Sequence, residues 1–61
     1  MKLGDVERHL RSHGCELLRQ GGRHAMWWNT ATGERQAVPR HQEIGDQLVR
    51  RICRRLSVPT A

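Results

Sequence analysis

The sequence predicts a small α+β domain in which both of its two helices pack on one face of a three-stranded antiparallel sheet. Near each end of the chain, apolar residues recur every three or four positions, as they do in amphipathic helices. Three short strand-like segments lie between them and are separated by glycine-containing turns. We expect the 61 residues to form one domain with a compact core and a frayed tail from about residue 57.

The first predicted helix covers residues 3–12, where Leu3, Val6 and Leu10 share one face. Gly14 follows at a place where a helix C-terminus commonly needs a positive φ. The helical period returns from Ile44 onward. Its wide apolar stripe comprises Leu48, Val49, Ile52, Cys53 and Leu56. The opposite side carries four arginines: Arg50, Arg51, Arg54 and Arg55. Asp46 is expected at the start of this helix, as its N-cap or as a first-turn anion.

Three strands are predicted between the helices, over residues 15–20, 23–29 and 34–38. Gly21-Gly22 is expected to form the first turn, because glycine reaches the left-handed conformations that two-residue hairpin turns demand. Pro39 is expected to stop the third strand, since proline cannot continue a sheet ladder. Helix, three consecutive strands and helix is also the layout of double-stranded RNA-binding domains.

Alternation along the second strand assigns its side chains to two faces. His24, Met26 and Trp28 are expected on one face and Ala25 and Trp27 on the other, unless a bulge intervenes. One tryptophan should pack beneath the helices. The other should lie on the open face, where it stacks on a base or is covered by a partner protein, and the sequence leaves open which one does so.

The charge balance favours a polyanionic partner. Eleven Lys and Arg residues oppose six Asp and Glu residues, which gives a formal net charge of +5. Ten of these eleven cations are arginines, whose planar guanidinium binds phosphate in a bidentate way. The partner is nucleic acid, an acidic protein or both, and charge and size together favour nucleic acid. The alternative is that the basic charge only serves solubility. The arginine row of the second helix has the same alternatives: a solvated face, a path for RNA, or a dock for acidic residues.

Other classes of protein are disfavoured. No stretch approaches the roughly 20 apolar residues of a membrane span, and no signal peptide is evident, so we expect a soluble, cytoplasmic protein. Cys15 and Cys53 lack zinc-ligand spacing and are expected to be small buried apolar residues rather than a disulfide. His9 and His13 share a helix face, but no carboxylate or cysteine completes a metal site. No metal or cofactor is expected.

Several segments together carry a family resemblance. They are Arg19-Gln-Gly-Gly-Arg-His24, Trp27-Trp-Asn, Gly33, Val38-Pro-Arg-His41, Ile44 and the helix over residues 48–56. In order and spacing, from Val6 to Pro59, they resemble the HicA family of bacterial mRNA-interferase toxins, the YcfA-like group. The resemblance implies a fold like that of double-stranded RNA-binding domains, cleavage of mRNA, and neutralisation by a HicB antitoxin encoded beside the toxin. The catalytic histidine of the family's Gly-Ser-His motif falls on His24, and the chain departs from that motif at Arg23, which replaces the serine.

The chemistry of RNA cleavage agrees with a histidine at this position. The 2′-hydroxyl of RNA attacks the neighbouring phosphate once a base takes its proton, and histidine exchanges protons near neutrality. Without the family resemblance, an ordinary surface histidine beside a turn is the favoured interpretation of His24, and the resemblance shifts the balance to catalysis. His41 is a candidate second acid or base, although a role in holding the loop or positioning RNA is favoured.

The sequence therefore predicts a metal-independent endoribonuclease, alone as a monomer or in a hetero-oligomer with its antitoxin. The expected RNA-binding residues are Lys2, Arg19, Gly22, Arg23, Trp28, Arg40 and His41. The expected antitoxin-binding residues are His24, Trp28, Arg50, Arg51 and Arg54. Two alternatives remain: a non-catalytic RNA-binding module, and a protein-interaction domain with a basic face.

Overall fold

A computed structural model describes residues 1–61 and confirms the predicted order of elements. The elements are α1 (Leu3–Ser12), β1 (Cys15–Gln20), β2 (His24–Asn29), β3 (Arg35–Pro39) and α2 (Asp46–Arg55). The strands form one antiparallel sheet in the order β1-β2-β3, so β2 is central and the other two are edges. No helix is long and apolar enough to cross a membrane.

One face of the sheet carries the core. Ala25, Trp27 and Val38 are buried there beneath apolar residues from both helices. The complete core cluster is Val6, Leu10, Cys15, Ala25, Trp27, Val38, Ile44, Val49, Ile52, Cys53 and Leu56. The opposite face of the sheet, called the open face below, has no helix over it. The α+β class, with both helices on one face of the sheet, is therefore confirmed.

Trp27 and Trp28 lie on different faces, and the structure shows which one is inside. Trp27 is fully buried, whereas Trp28 is half-buried on the open face with Met26 and His24. The Trp27 ring also has the Arg11 guanidinium 5.0 Å from its centroid. The predicted division of β2 into two faces is confirmed.

The β1–β2 turn differs from the prediction. Neither Gly21 nor Gly22 has a positive φ, so left-handed backbone is not the reason for glycine here. A Cβ added at Gly21 would instead lie 2.8 Å from the carbonyl oxygen of His24. Close approach of the two backbone segments therefore explains Gly21. The predicted positive φ at Gly14 is confirmed, at 85°.

Pro39 does not stop β3 but is its last residue, paired with His24, and Arg23 precedes β2 rather than opening it. Proline is tolerated here because β3 is an edge strand, where a missing N–H need not break a ladder. Asp46 lies in the first turn of α2, and the N-cap is Gly45.

The residues after α2 are held against the domain, although the sequence predicts a frayed tail from about residue 57. Ser57 adopts a positive φ of 56°, and the Val58 amide donates to the Cys53 carbonyl at 2.9 Å, a Schellman motif. Val58 packs on the core, and the His9 ring nitrogen Nε2 hydrogen-bonds the Pro59 carbonyl oxygen at 2.6 Å. Thr60 and Ala61 are exposed.

A β-bulge interrupts β1 between Leu17 and Arg19, where the sequence predicts regular alternation. Because of this register shift, Glu16 pairs with Trp28 and Arg19 pairs with Met26. Both partners lie on the open face, and directly opposed residues point to the same side of a sheet. Glu16 and Arg19 therefore share the open face, which simple alternation would not allow.

Candidate active site

His24 stands at one end of the open face. It is the first residue of β2, it is exposed, and it pairs with Pro39 across the β2–β3 ladder. Its carbonyl oxygen accepts a hydrogen bond of 2.8 Å from the Gly21 amide, which closes the β1–β2 turn. The backbone of His24 is thus tied on both sides while its imidazole lies on the solvent side of the sheet.

Arg40 stabilises the β1–β2 turn, which directly precedes His24. Its side-chain Nη1 donates to the Gly21 carbonyl at 2.9 Å and lies 3.5 Å from the Gly22 carbonyl oxygen. Its main-chain amide donates to the Arg23 carbonyl at 3.0 Å. One residue therefore binds three consecutive carbonyl groups of the turn. Its Nε and Nη2 groups have no protein partner and can donate to an anion beside His24.

Other predicted RNA-binding residues lie at the same end of the domain. Arg23 is exposed in the turn itself, and exposed His41 directly follows Arg40. Exposed Lys2 pairs with Glu43 in an isolated β-bridge, so the start of α1 lies beside the segment that follows β3. Glu43 forms an ion pair of 3.1 Å with the amino terminus, so a carboxylate is also present at this end.

The open face extends from His24 along β2. Met26 and Trp28 follow on the same side, both half-buried. Arg19 lies opposite Met26, while Glu16 and Arg35 lie on either side of Trp28. Glu16 and Arg35 were not among the site residues expected from the sequence. Their position beside Trp28 depends on the cross-strand register, which alternation within one strand does not give.

The arginines of α2 lie elsewhere. Arg50, Arg51 and Arg54 are exposed, and the buried side of α2 faces the sheet. The helix layer thus separates them from the open face with His24 and Trp28. The five residues expected to bind the antitoxin therefore form two separate surfaces.

Most of the basic charge is unpaired. Arg8 contacts Asp5 at 3.0 Å, and no other arginine forms an ion pair with a carboxylate. Unpaired guanidinium groups on a surface remain available to phosphate or to acidic side chains.

Neither cysteine has the environment of a nucleophile. Cys15 and Cys53 are buried and free, as predicted for small apolar residues. Burial raises the pKa of both thiols, and the neighbouring Cys53 adds to the rise at Cys15. Raised pKa values keep the thiols neutral and unreactive.

His9 and His13 are engaged with the backbone. The His9 ring bonds the Pro59 carbonyl, and Nδ1 of His13 lies 3.0 Å from the His9 carbonyl oxygen. No group of three or more His, Cys, Asp or Glu side chains is arranged to hold a metal ion.

The one surface cavity lies away from His24. It has a volume of about 210 Å³ and is lined by Met1, Asp46, Val49, Arg50, Thr60 and Ala61. The candidate site is thus an open surface rather than a pocket, a shape suited to a polymer.

Comparison with known proteins gives one match. A family model described as HicA toxin of bacterial toxin-antitoxin matches residues 4–58. No curated protein and no solved structure matches the chain.

Proposed function

Because the chain belongs to the HicA toxin family of bacterial toxin-antitoxin systems, we propose that it is an endoribonuclease that cleaves mRNA with His24. The observation that carries this proposal is the placement of His24. It is exposed at the edge of an open face, in a turn held by Arg40 and next to the unpaired cation Arg23. Cleavage of mRNA places the activity in the cytoplasm.

The imidazole of His24 acts as the general base. It takes the proton of a ribose 2′-hydroxyl, and the 2′-oxygen then attacks the adjacent phosphorus. The bond from phosphorus to the 5′-oxygen breaks, and that oxygen leaves with a proton. The products are a 2′,3′-cyclic phosphate on one fragment and a 5′-hydroxyl on the other. This route requires no metal, because His24 moves the proton and arginines stabilise the charge on the phosphate.

The cations around His24 bind the RNA backbone. Arg23 lies in the same turn, and Arg40 has two free guanidinium nitrogen groups there. His41 positions RNA or donates the proton to the leaving 5′-oxygen. The full RNA-binding set is Lys2, Arg19, Gly22, Arg23, Trp28, Arg40 and His41. Arg23 stands where the family motif has serine and adds a charge next to the base.

A HicB-like antitoxin neutralises the protein by covering His24 and Trp28. Family membership implies an antitoxin partner, and the net charge of +5 favours an acidic one. Arg50, Arg51 and Arg54 offer it a second contact surface on α2. An antitoxin that contacts both surfaces must pass around an edge of the sheet. Without its antitoxin, the toxin is a monomer.

Analysis of product ends tests the proposal. Purified protein is incubated with a mixed mRNA in EDTA, and the fragment ends are identified by selective ligation. Fragments with 2′,3′-cyclic phosphate and 5′-hydroxyl ends are expected. Fragments with 5′-phosphate ends would contradict the histidine mechanism. Bound but intact RNA would favour the alternative of a non-catalytic RNA-binding module, whereas an acidic partner bound with no RNA would favour a protein-interaction domain.

A further inference from the structure

The open face places an aromatic ring in the same row as His24 and one arginine on each side of that row. His24, Met26 and Trp28 follow one another along the central strand, all on the side without helices. Arg19 lies across from Met26 on β1, and Arg35 lies across from Trp28 on β3. The exposed side of a small sheet thus carries a continuous stripe of apolar and cationic groups.

Trp28 is not needed for the core. Trp27 already fills the space beneath the helices and is fully buried, whereas Trp28 is half-buried on the other side. A partly exposed tryptophan costs solubility unless something covers it. Its flat ring offers a surface on which a nucleic-acid base stacks, as bases do on aromatic residues of other RNA-binding sheets.

The charges around Trp28 favour RNA over an apolar partner. Arg19 and Arg35 form no ion pair with any carboxylate. They lie on opposite sides of β2, so a strand that passes over β2 meets a guanidinium on each side. A buried apolar protein interface would have to desolvate both guanidinium groups, which is costly without matched acidic partners.

We propose that the open face binds single-stranded RNA along β2, with a base stacked on Trp28 and phosphates held by Arg19 and Arg35. The scissile phosphate then lies at His24, and in this respect the inference rests on the proposed function. It goes beyond that function by assigning the strandedness of the substrate, the face that binds it, and a base-recognition position.

Stacking on Trp28 requires an unpaired base. In an A-form duplex the faces of the bases are covered by their neighbours, so a tryptophan on a sheet cannot reach them. A strand advances about 3.3 Å per residue, so Trp28 lies roughly 13 Å from His24 along β2. Stacked nucleotides advance about 3.4 Å each and stretched ones more, so the base on Trp28 is within about four nucleotides of the scissile phosphate.

Glu16 makes the Trp28 position selective. Glu16 pairs with Trp28 across the β1–β2 ladder, on the side opposite to Arg35. A carboxylate accepts hydrogen bonds from the exocyclic amino groups of cytosine, adenine or guanine, whereas uracil has only its ring N3–H to donate. A base with an amino group is therefore preferred on Trp28. Glu16→Gln should relax the preference, because the amide both donates and accepts.

Binding of uncleavable RNA tests the inference separately from cleavage. Single-stranded 2′-O-methyl hexanucleotides and the same sequences in duplexes are titrated with the full chain, and fluorescence anisotropy reports the affinity. We expect single strands to bind tighter than duplexes. Trp28→Leu should weaken single-strand binding by about tenfold or more, and Trp28→Phe should restore most of it.

Arg19→Gln and Arg35→Gln should each make the negative slope of log affinity against log salt shallower by about 0.7, the value for one phosphate contact on a single strand. Arg55→Gln is the matched control, because Arg55 is an exposed arginine on the helix layer. It removes the same charge, and it should change the affinity less than twofold and leave the slope unchanged.

Three outcomes would overturn the inference. They are tighter binding of duplex than of single strand, unchanged single-strand binding in Trp28→Leu, and an equal loss of slope in Arg55→Gln. If Trp28→Leu weakens only the complex with an antitoxin, the face is a protein site instead. Wild-type protein that binds single strands as expected but cleaves no RNA would contradict the proposed nuclease and leave this inference standing.

Discussion

Nη1 of Arg40 donates a hydrogen bond of 2.9 Å to the Gly21 carbonyl oxygen, across the gap between the end of β3 and the β1–β2 turn. The Gly21 amide in turn donates to the carbonyl of His24 at 2.8 Å. The backbone position of His24, the proposed catalytic residue, thus depends on Arg40, which follows the end of β3. Nε and Nη2 of Arg40 form no hydrogen bond within the protein, so under the proposed function they remain free to bind phosphate.

Arg40→Met keeps the apolar stem and the main-chain bond to the Arg23 carbonyl, and it removes the side-chain bonds to the Gly21 and Gly22 carbonyls. We expect kcat for RNA cleavage to fall by on the order of 10- to 100-fold, because small displacements of a catalytic group are costly. Steady-state kinetics on one RNA substrate measure this. The matched control is Arg23→Met, which removes a charge from the same turn but no turn hydrogen bond. It should mainly raise KM, and the same pattern in Arg40→Met would show that Arg40 only binds phosphate.

Gly21→Ala should destabilise the domain by about 1–3 kcal/mol, because the new methyl would lie 2.8 Å from the His24 carbonyl oxygen. Chemical denaturation measures the free energy of unfolding. Gly22→Ala is the control, because nothing lies within 4 Å of a Cβ there, and it should cost less than about 0.5 kcal/mol. Equal effects of the two substitutions would contradict the close-approach explanation.

Ser57→Gly should stabilise the domain, because Ser57 adopts a positive φ of 56° that favours glycine. The expected gain is up to about 1 kcal/mol. The hydroxyls of Ser57 and Thr32 lower the pKa of the Glu34 carboxyl. Stability that comes from a lowered carboxyl pKa is present above the unfolded pKa and is lost as the pH falls through the folded pKa.

The gain from Ser57→Gly should therefore be larger at acid pH than at neutral pH, where the variant also loses the effect of the Ser57 hydroxyl on the ionised Glu34 carboxylate. Thermal unfolding at pH values above and below the carboxyl range measures the difference. Thr32→Ala, which affects the same carboxyl without the backbone strain, should give no gain at either pH. A gain from Ser57→Gly that does not depend on pH would contradict the link to Glu34.

The buried thiols should make the domain sensitive to alkali. Burial raises the pKa of Cys15 and Cys53, so the native state retains protons that the unfolded state loses above about pH 8.5. This contribution is fully present below the unfolded pKa and is lost as pH rises through the folded pKa. Unfolding free energy should fall more steeply between pH 8 and 10 in wild type than in Cys53→Ala. Parallel slopes would contradict this, as would rapid native alkylation by iodoacetamide at pH 8.

Much of the fold is predictable from local patterns. Helical period in α1 and α2, alternation in β2 and the position of Gly14 all describe interactions between residues close in the chain. These signals predicted both helices and the division of His24 and Trp28 from Ala25 and Trp27. Which of the two tryptophans lies in the core could not be predicted, because this depends on the face of the sheet on which the helices pack.

The features missed by the sequence analysis depend on contacts between distant segments. The bulge in β1 sets Glu16 and Arg19 on one face, and no local pattern marks its position. The bond from Arg40 to Gly21 joins residues that meet only after β3 has paired with β2. The tail after α2 is anchored by Val58 and Pro59, whose partners lie on the core and on His9. Small polar or proline-rich tails carry no signal for such contacts.

The most direct test of the central claim compares wild type with His24→Ala in cleavage of a mixed mRNA in EDTA. Circular dichroism confirms that both proteins are folded, and RNA affinity is measured beside the cleavage rate. We expect cleavage by wild type, loss of cleavage by on the order of 100-fold or more in His24→Ala, and nearly unchanged RNA binding. Equal cleavage by the two proteins would show that His24 is not the catalytic residue.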